Sequence, residues 1–269
     1  MTSKYLSKNA RISTLKMVHK AKASHVASAL SIIDILAVLY SEVMNIDPDE
    51  PFLVDRDRFI LSKGHACAGV YAVLAELGFI QKESLTTYGE DFSILMNHIS
   101  HKVPGVEFST GSLGHGLPFG VGKALAATRL QKSWLTFVLL SDGELQEGSN
   151  WEALMFAAHH KLDNLVVIVD NNNLQSLTTV EETVNIQSLK EKVLAFGWEV
   201  RDVDGHNHEQ VKANLSQIPW QTDKPSLLIA NTIKGKGVSF MENRVEWHYR
   251  SPTDEQLKLA LWELEQKDA

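Results

Sequence analysis

The stretch TFVLLSDGELQEG sets an apolar, β-branched run directly against Asp142-Gly143-Glu144. The pattern recurs one helix later: LVVIVDNNN runs from Leu165 to Val169 into Asp170, Asn171, Asn172 and Asn173. Strands that end this way, one βαβ unit apart, put oxygen atoms at the carboxyl ends of neighbouring parallel strands, where α/β crevices open. Oxygen donors without sulfur or imidazole suit a hard cation such as Mg²⁺, which favours octahedral oxygen coordination and usually shares it with a phosphate. Asp142 offers a carboxylate, Asn172 an amide oxygen and Leu174 a main-chain carbonyl. Gly143 lets the backbone approach a phosphate closely, and the N-terminus of the following helix adds a favourable dipole. An Asp-Gly at a strand end is by itself a common turn, and a run of asparagines a common loop; the spacing is what joins them.

The elements that must position these residues alternate helix and strand, so the expected fold is a single α/β domain over residues 1–269: a doubly wound, mostly parallel sheet with helices on both faces. Leu6, Ile12, Leu15 and Val18 predict a surface helix at the start of the chain. Ser31-Ile32-Ile33-Asp34 resembles a capping box and predicts a helix over 31–43. A short strand at 59–61 leads through Lys63-Gly64 to a helix closed near Gly78. The glycine-rich MNHISHKVPGVEFSTGSLGHGLPFGVG feeds a helix over 122–130, and further helices are expected over 150–160, 189–196 and 209–218. WEVRDVDG and PSLLIANTI read as strands, TIKGKG as a glycine turn, and TDEQLKLALWELEQ as a terminal amphipathic helix.

Composition narrows the function classes. The chain has 269 residues, is 44% apolar and 22% charged, and carries a net charge of −7. With no basic run, nucleic acid is a poor partner. No apolar run approaches the roughly 20 residues that span a bilayer, so no membrane association is expected. The lone Cys67 excludes a disulfide framework within the chain, fits a reducing, cytoplasmic setting, and reads as a small buried residue in GHACAGVYAVLAEL.

SDGELQEGSNWEALMFAAHHKLDNLVVIVDNNNLQS resembles the thiamine diphosphate motif, and most closely that of transketolases in their amino-terminal half. ASH, DRDRFILSKGHA, VPGVEFSTGSLGHG, DVDGH, KPSLLIANTIKGKG and VEWH extend the resemblance in family order along nearly the whole chain. The resemblance implies that Asp142, Asn172 and the carbonyl of Leu174 hold Mg²⁺ (or Ca²⁺ or Mn²⁺ in its place) against the cofactor's diphosphate. It further implies that Gly143 lies on the diphosphate, that Gly111 and Leu113 contact the cofactor, and that Glu147 lies at an interface between chains. Among the eleven histidines, His25, His65, His98 and His248 match four that line the transketolase channel. His25 and His248 would handle the carbon-three hydroxyl proton of a ketose, His98 would bind the carbon-one hydroxyl, and His65 would sit beside diphosphate and reacting carbon. Imidazole suits proton transfer near pH 7.

The pattern departs from the family at several points. Ser141 replaces a glycine, Asn173 stands where many relatives have glycine, and His115 replaces a glutamine. Val26-Ala27 and Ile99 replace prolines and glycine beside His25 and His98. The resemblance implies that the glutamate activating the aminopyrimidine belongs to the family's second domain, which is expected to lie on another chain. The expectation is a split transketolase: a separate carboxy-terminal subunit supplies that acid, and two copies of each chain form a heterotetramer acting on sugar phosphates. An unusual sulfonated or unphosphorylated sugar is the close alternative. The rival classes are a non-catalytic binding subunit, which predicts decay of the metal and histidine positions, and a dinucleotide-binding dehydrogenase, which needs a strand before GSLGHGLPFGVG, where a polar loop stands. His98 and His101 could form a zinc pair but lack further ligands; His159 and His160 read as packing or surface residues, and His206 and His208 as turn and cap.

Overall fold

Five strands form the sheet at the centre of the computed structural model, which describes residues 1–266. The strands are β1 (Arg58–Leu61), β2 (Thr136–Ser141), β3 (Leu165–Asn171), β4 (Glu199–Asp204) and β5 (Ser226–Asn231). All pairings are parallel, in the order β1-β2-β3-β5-β4. Such a sheet must be covered on both faces, and it is. The helices are α1 (Ser3–Ala21), α2 (Val26–Val38), α3 (Cys67–Leu77), α4 (Gly116–Arg129), α5 (Gly148–His159), α6 (Val180–Thr183), α7 (Leu189–Ala195), α8 (His208–Leu215) and α9 (Asp254–Gln266). Phe59, Phe137, Leu139, Val166, Ile168 and Leu228 share one core with α1, α2, α3, α8 and α9. Ile60, Val138, Leu140, Val167 and Val169 share the other with α4, α5 and α7. Odd and even residues of each strand thus divide between two cores, which is the period-two alternation of a β-strand.

Several expected boundaries move. Helix α2 begins at Val26, directly after His25, which takes a left-handed conformation (φ 70°). Ser31 and Asp34 are therefore buried in mid-helix and do not form a capping box. The apolar run VASALSII is continuous with the segment that follows, so packing carries the helix back to the turn at His25. Helix α4 starts at Gly116 and not at 122. Helix α1 is a core helix on its inner face, with Leu6, Leu15 and Val18 fully buried.

The expectation about apolar length is also corrected. Together with a π-helical turn at Leu39–Val43, α2 gives one stretch, Val26–Val43, long and apolar enough to cross a membrane. In the fold 83% of it is buried, packed against α1, α3 and α8, so it serves as the core helix beneath the sheet.

Asp34 explains how a charge is accommodated in that helix. Arg11 of α1 pairs with it through both terminal nitrogens (2.9 and 2.5 Å), and His206 Nδ1 (2.7 Å) and His208 Nε2 (3.0 Å) complete the shell. Burial pushes the Asp34 carboxyl up, but Arg11 and the two imidazoles outweigh it and hold it well below the usual carboxylate range. Ile233 N–H donates to His206 Nε2 (2.8 Å), so the His206 proton lies on Nδ1 toward Asp34. The cap of α8 is Asn207, whose side chain accepts from Gln210 N–H; the flanking histidines tie β4 to α1 and α2 instead.

Two glycines of α4 set its distance from the sheet. A Cβ at Gly120 would lie 2.3 Å from Val138 Cγ2, and one at Gly116 would lie 2.4 Å from Ser62 Oγ. Gly122, in the same helix, faces open space. Gly120→Ala is expected to destabilise the chain by about 1–3 kcal/mol through overpacking. Gly122→Ala is expected to stabilise it by up to about 1 kcal/mol through helix propensity. Urea unfolding midpoints of the two variants check the opposite signs.

Candidate active site

Each of the two acids after β2 has a separate task. Asp142 is 2% exposed and accepts hydrogen bonds from Gly143 N–H (2.8 Å) and Asn173 N–H (2.5 Å). It therefore pins the end of β2 to the end of β3 while one side stays on the cleft. Glu144 turns back into the protein. It is fully buried and accepts from Ser62 Oγ, from Gly114 N–H (2.9 Å) and from Ser141 N–H (3.2 Å). Glu144 thereby ties the glycine-rich loop to the ends of β1 and β2.

The end of β3 is organised by Asp170, which is fully buried. Its carboxylate accepts from Lys63 Nζ (2.5 Å), Ser31 Oγ (2.7 Å), Asn172 Nδ2 (3.0 Å) and Thr232 Oγ1. Burial pushes the Asp170 carboxyl up, but the Lys63 ammonium and the hydroxyl donors hold it below the usual range. Because Asp170 takes the amide NH₂ of Asn172, the Asn172 Oδ1 must face the other way; it accepts from Leu174 N–H (3.1 Å) and keeps a lone pair free. Asn173 has φ 61°, the left-handed turn its residue type tolerates, so the loop doubles back to a bridge between Leu174 and Thr179.

Asp142, Asn172 and Leu174 line one cleft with Gly143, Gly111, Leu113, His25, His65, His98 and His248, so every proposed site residue converges there. The cleft opens at the carboxyl ends of β1, β2, β3 and β5, as the strand order requires. The imidazoles cluster around His25, whose ring centroid lies 5.1 Å from His65, 5.0 Å from His248 and 6.0 Å from His98. His25 N–H donates to the His248 carbonyl (2.8 Å), which joins the start of α2 to the 245–249 loop. The His98 carbonyl accepts from Tyr71 Oη (3.1 Å), and Ile99 N–H donates to the Gly64 carbonyl (3.1 Å). Proline at position 99 would lack that donor.

Two lysines in this cleft lie within DRDRFILSKGHA and KPSLLIANTIKGKG, yet the sequence assigns neither a site role. Lys63, 1% exposed, pairs with Asp170. Lys234, 2% exposed, donates to the carbonyls of Leu174 (3.2 Å) and Gln175 (2.9 Å) and to His248 Nδ1 (2.9 Å). Burial and the nearby Lys63 pull its ammonium down to about 8. Because His248 Nδ1 accepts this bond, its neutral ring carries the proton on Nε2. Burial, His98 and the two lysines lower His25 to about 4. Burial, Lys234, His25 and Lys63 lower His248 to about 3, and burial and Lys63 hold His65 well below its ordinary value.

The cleft fits a diphosphate with a divalent cation. A Cβ at Gly143 would fall 2.9 Å from Gln175 Cγ, so only glycine leaves the backbone open there. Gln175 Nε2 is a buried donor on the cleft with no hydrogen-bond partner among the described residues. Two ammonium groups supply positive potential, and Asp142, Asn172 and the Leu174 carbonyl supply oxygen donors. Burial and the neighbouring Asp170 push the Asp142 carboxyl up to about 6, a carboxylate short of a counter-charge.

Other sequence-based candidates lie elsewhere. His115 is exposed, with Nδ1 3.0 Å from the Leu113 carbonyl. His101 bonds Ser109 Oγ (2.7 Å), and no cluster of three or more His, Cys, Asp or Glu side chains poised for a metal occurs among the described residues. His159 and His160 meet edge-to-face on the outside of α5, with His160 tilted against Phe156. Glu147 is exposed at the start of α5. Cys67 is buried, and burial pushes its thiol up to about 12.

The family profile "Transketolase, thiamine diphosphate binding domain" matches residues 2–263. This chain belongs to the transketolase family. It is 44% identical over 94% of its length to an apulose-4-phosphate transketolase subunit from Phocaeicola vulgatus, covering 90% of that protein. It is 38% identical to a 6-deoxy-6-sulfo-D-fructose transketolase subunit from a Clostridium species, covering 94% of it. The crystal structure of transketolase from Campylobacter jejuni superposes with a TM-score of 0.92 at 32% identity. That match takes in 98% of this chain but spans 42% of the solved chain.

The depressed imidazoles give a direct test. In ¹H–¹³C spectra of the ligand-free protein, the rings of His25 and His248 should stay neutral from pH 8 down to about 5 and begin to titrate only near about 4 and about 3. The sign for stability follows: both rings charge more readily when unfolded, so their contribution is intact above the ordinary histidine value of about 6.5 and declines as pH falls below it.

Proposed function

We propose that this chain is the diphosphate-binding subunit of a two-chain transketolase, moving a two-carbon ketol unit from a ketose to an aldose. The observation that carries this is the convergence of four imidazoles, two buried ammonium groups and three oxygen ligands on one cleft. The two-chain form is supported by the relatives whose names call them subunits.

In this reading Asp142, Asn172 Oδ1 and the Leu174 carbonyl hold Mg²⁺, with Ca²⁺ or Mn²⁺ as substitutes. Gly143, Gln175, Lys63 and Lys234 cradle the diphosphate, and Gly111 and Leu113 lie along the cofactor. Thiamine diphosphate supplies, when bound, the nucleophilic carbon that receives the ketol unit. The chain's own residues then handle protons. His25, neutral, accepts the proton of the carbon-three hydroxyl as the bond between carbons two and three breaks, while His248, whose Nδ1 is taken by Lys234, holds that hydroxyl through its Nε2–H. The His25 imidazole returns a proton when the acceptor aldehyde becomes a hydroxyl. His98 hydrogen-bonds the carbon-one hydroxyl, and His65 orients the group beside the diphosphate. Anionic ligand beside Lys63 and Lys234 offsets the charges that depress the imidazoles, which raises their basicity when the site is filled.

The activating acid comes from a partner chain, and the assembly holds two copies of each. Native mass spectrometry of the mixed chains checks that stoichiometry. The cellular setting proposed is the cytoplasm. The relatives named for apulose 4-phosphate and for 6-deoxy-6-sulfo-D-fructose support an unusual sugar over the common pentose phosphates.

The decisive experiment mixes this chain with its candidate partner, thiamine diphosphate and Mg²⁺, and offers xylulose 5-phosphate, apulose 4-phosphate and 6-deoxy-6-sulfofructose as donors. Ketol transfer should require both chains. His25→Ala and His248→Ala should each lower kcat by about 10²–10⁴-fold. Full activity from this chain alone, or none from the mixture on any donor, would overturn the proposal.

A further inference from the structure

The proposed mechanism leaves several side chains of the cleft, Ser28, Ser141, Ser176 and Tyr249, without a task. Tyr249 lines it beside His248 and is 59% exposed, whereas His248 is 9% and Asp142 2% exposed. This gradient gives the cleft a direction: Asp142 and Asn172 lie at its floor, His25, His65 and His248 above them, and Tyr249, with the exposed His98, at its mouth. The backbone of Tyr249 is held in place, since its carbonyl accepts from Ser24 Oγ (3.2 Å) and the preceding carbonyl accepts from His25 N–H. The ring meets His25 edge-to-face at 5.7 Å and His248 at 4.7 Å. Its hydroxyl has no protein partner among the described residues. A rigidly mounted phenol at the mouth, packed on the two imidazoles and with its polar tip unclaimed, is a hydrogen-bonding post awaiting a ligand.

A substrate with its reacting carbons at His25 and His248 must extend outward past this ring. We infer that Tyr249 is a specificity-determining residue, whose hydroxyl hydrogen-bonds the hydroxyl-bearing chain of the sugar beyond the carbons that react. The inference rests on the ketol-transfer reading above. The class of ligand it selects is a polyhydroxy ketose or aldose, as opposed to a short keto acid that delivers the same two-carbon unit without a chain.

The test compares wild type and Tyr249→Phe in the assembled two-chain enzyme. Two donors are used: the ketose of the three-donor panel with the highest kcat/KM, and hydroxypyruvate, which carries the transferred unit and no sugar chain. Phenylalanine keeps the ring on both imidazoles, so the fold and proton transfer are preserved. The KM for the ketose should rise about tenfold, the worth of one hydrogen bond, while kcat stays within about twofold and the hydroxypyruvate parameters do not move. An unchanged ketose KM would overturn the inference. Equal losses on both donors, or a shifted pH profile of kcat, would also overturn it, because Tyr249 would then be acting through the histidines. A wild-type pair inactive on every donor would instead refute the functional reading, and this inference with it.

Discussion

A carboxylate with no exposure to solvent holds the site together. Asp170, at the end of the central strand β3, gathers Lys63 from the β1 turn, Ser31 from α2, Thr232 beyond β5 and the amide of Asn172. Removing one partner from a buried ion pair is costly, on the order of 3–5 kcal/mol, because the other charge is stranded. These contacts therefore lock the ends of three strands and a core helix into one arrangement. The orientation of Asn172 follows from them, and so does the placement of a positive charge below the cleft.

Charge is partitioned by depth. The two acids that hold the scaffold, Glu144 and Asp170, are fully buried, and each is surrounded by donors. Asp142 accepts from backbone N–H groups alone and keeps a free side on the cleft. Lys63 and Lys234 stand beside imidazoles that burial keeps neutral, so positive potential resides on the ammonium groups while the His25 ring keeps a lone pair for a proton. A polyanion is attracted by the first, and a hydroxyl proton by the second. One small region can thus bind and react because burial separates the two roles.

Much of this was legible in the sequence, for physical reasons. Strands buried on both faces must be continuous apolar runs, so β2, β3 and β5 stand out, and the acid and amide that follow them are visible where apolarity stops. The glycines of GSLGHGLPFG are visible as a cluster, but their reason, close packing of α4 on Ser62 and Val138, is a tertiary fact. Lys63 and Lys234 resemble ordinary surface lysines in glycine turns; their burial depends on partners more than 100 residues away for Lys63 and about 60 for Lys234. Asp34 is read as a cap because nothing local reveals Arg11, His206 and His208 converging on it. Tyr249 gives no sign until the 245–249 loop is seen docked on His25.

The proposed function depends on a cleft whose oxygen ligands would hold a diphosphate through a metal ion. Calorimetric titration of thiamine diphosphate into the assembled pair, with Mg²⁺ and then with EDTA, tests that most directly. Binding should be present with Mg²⁺, lost with EDTA, and lost in Asp142→Ala even with Mg²⁺, while the variant keeps the wild-type circular dichroism. Binding by Asp142→Ala as tight as wild type, or binding indifferent to EDTA, would contradict the assignment of Asp142, Asn172 and the Leu174 carbonyl as the metal's ligands.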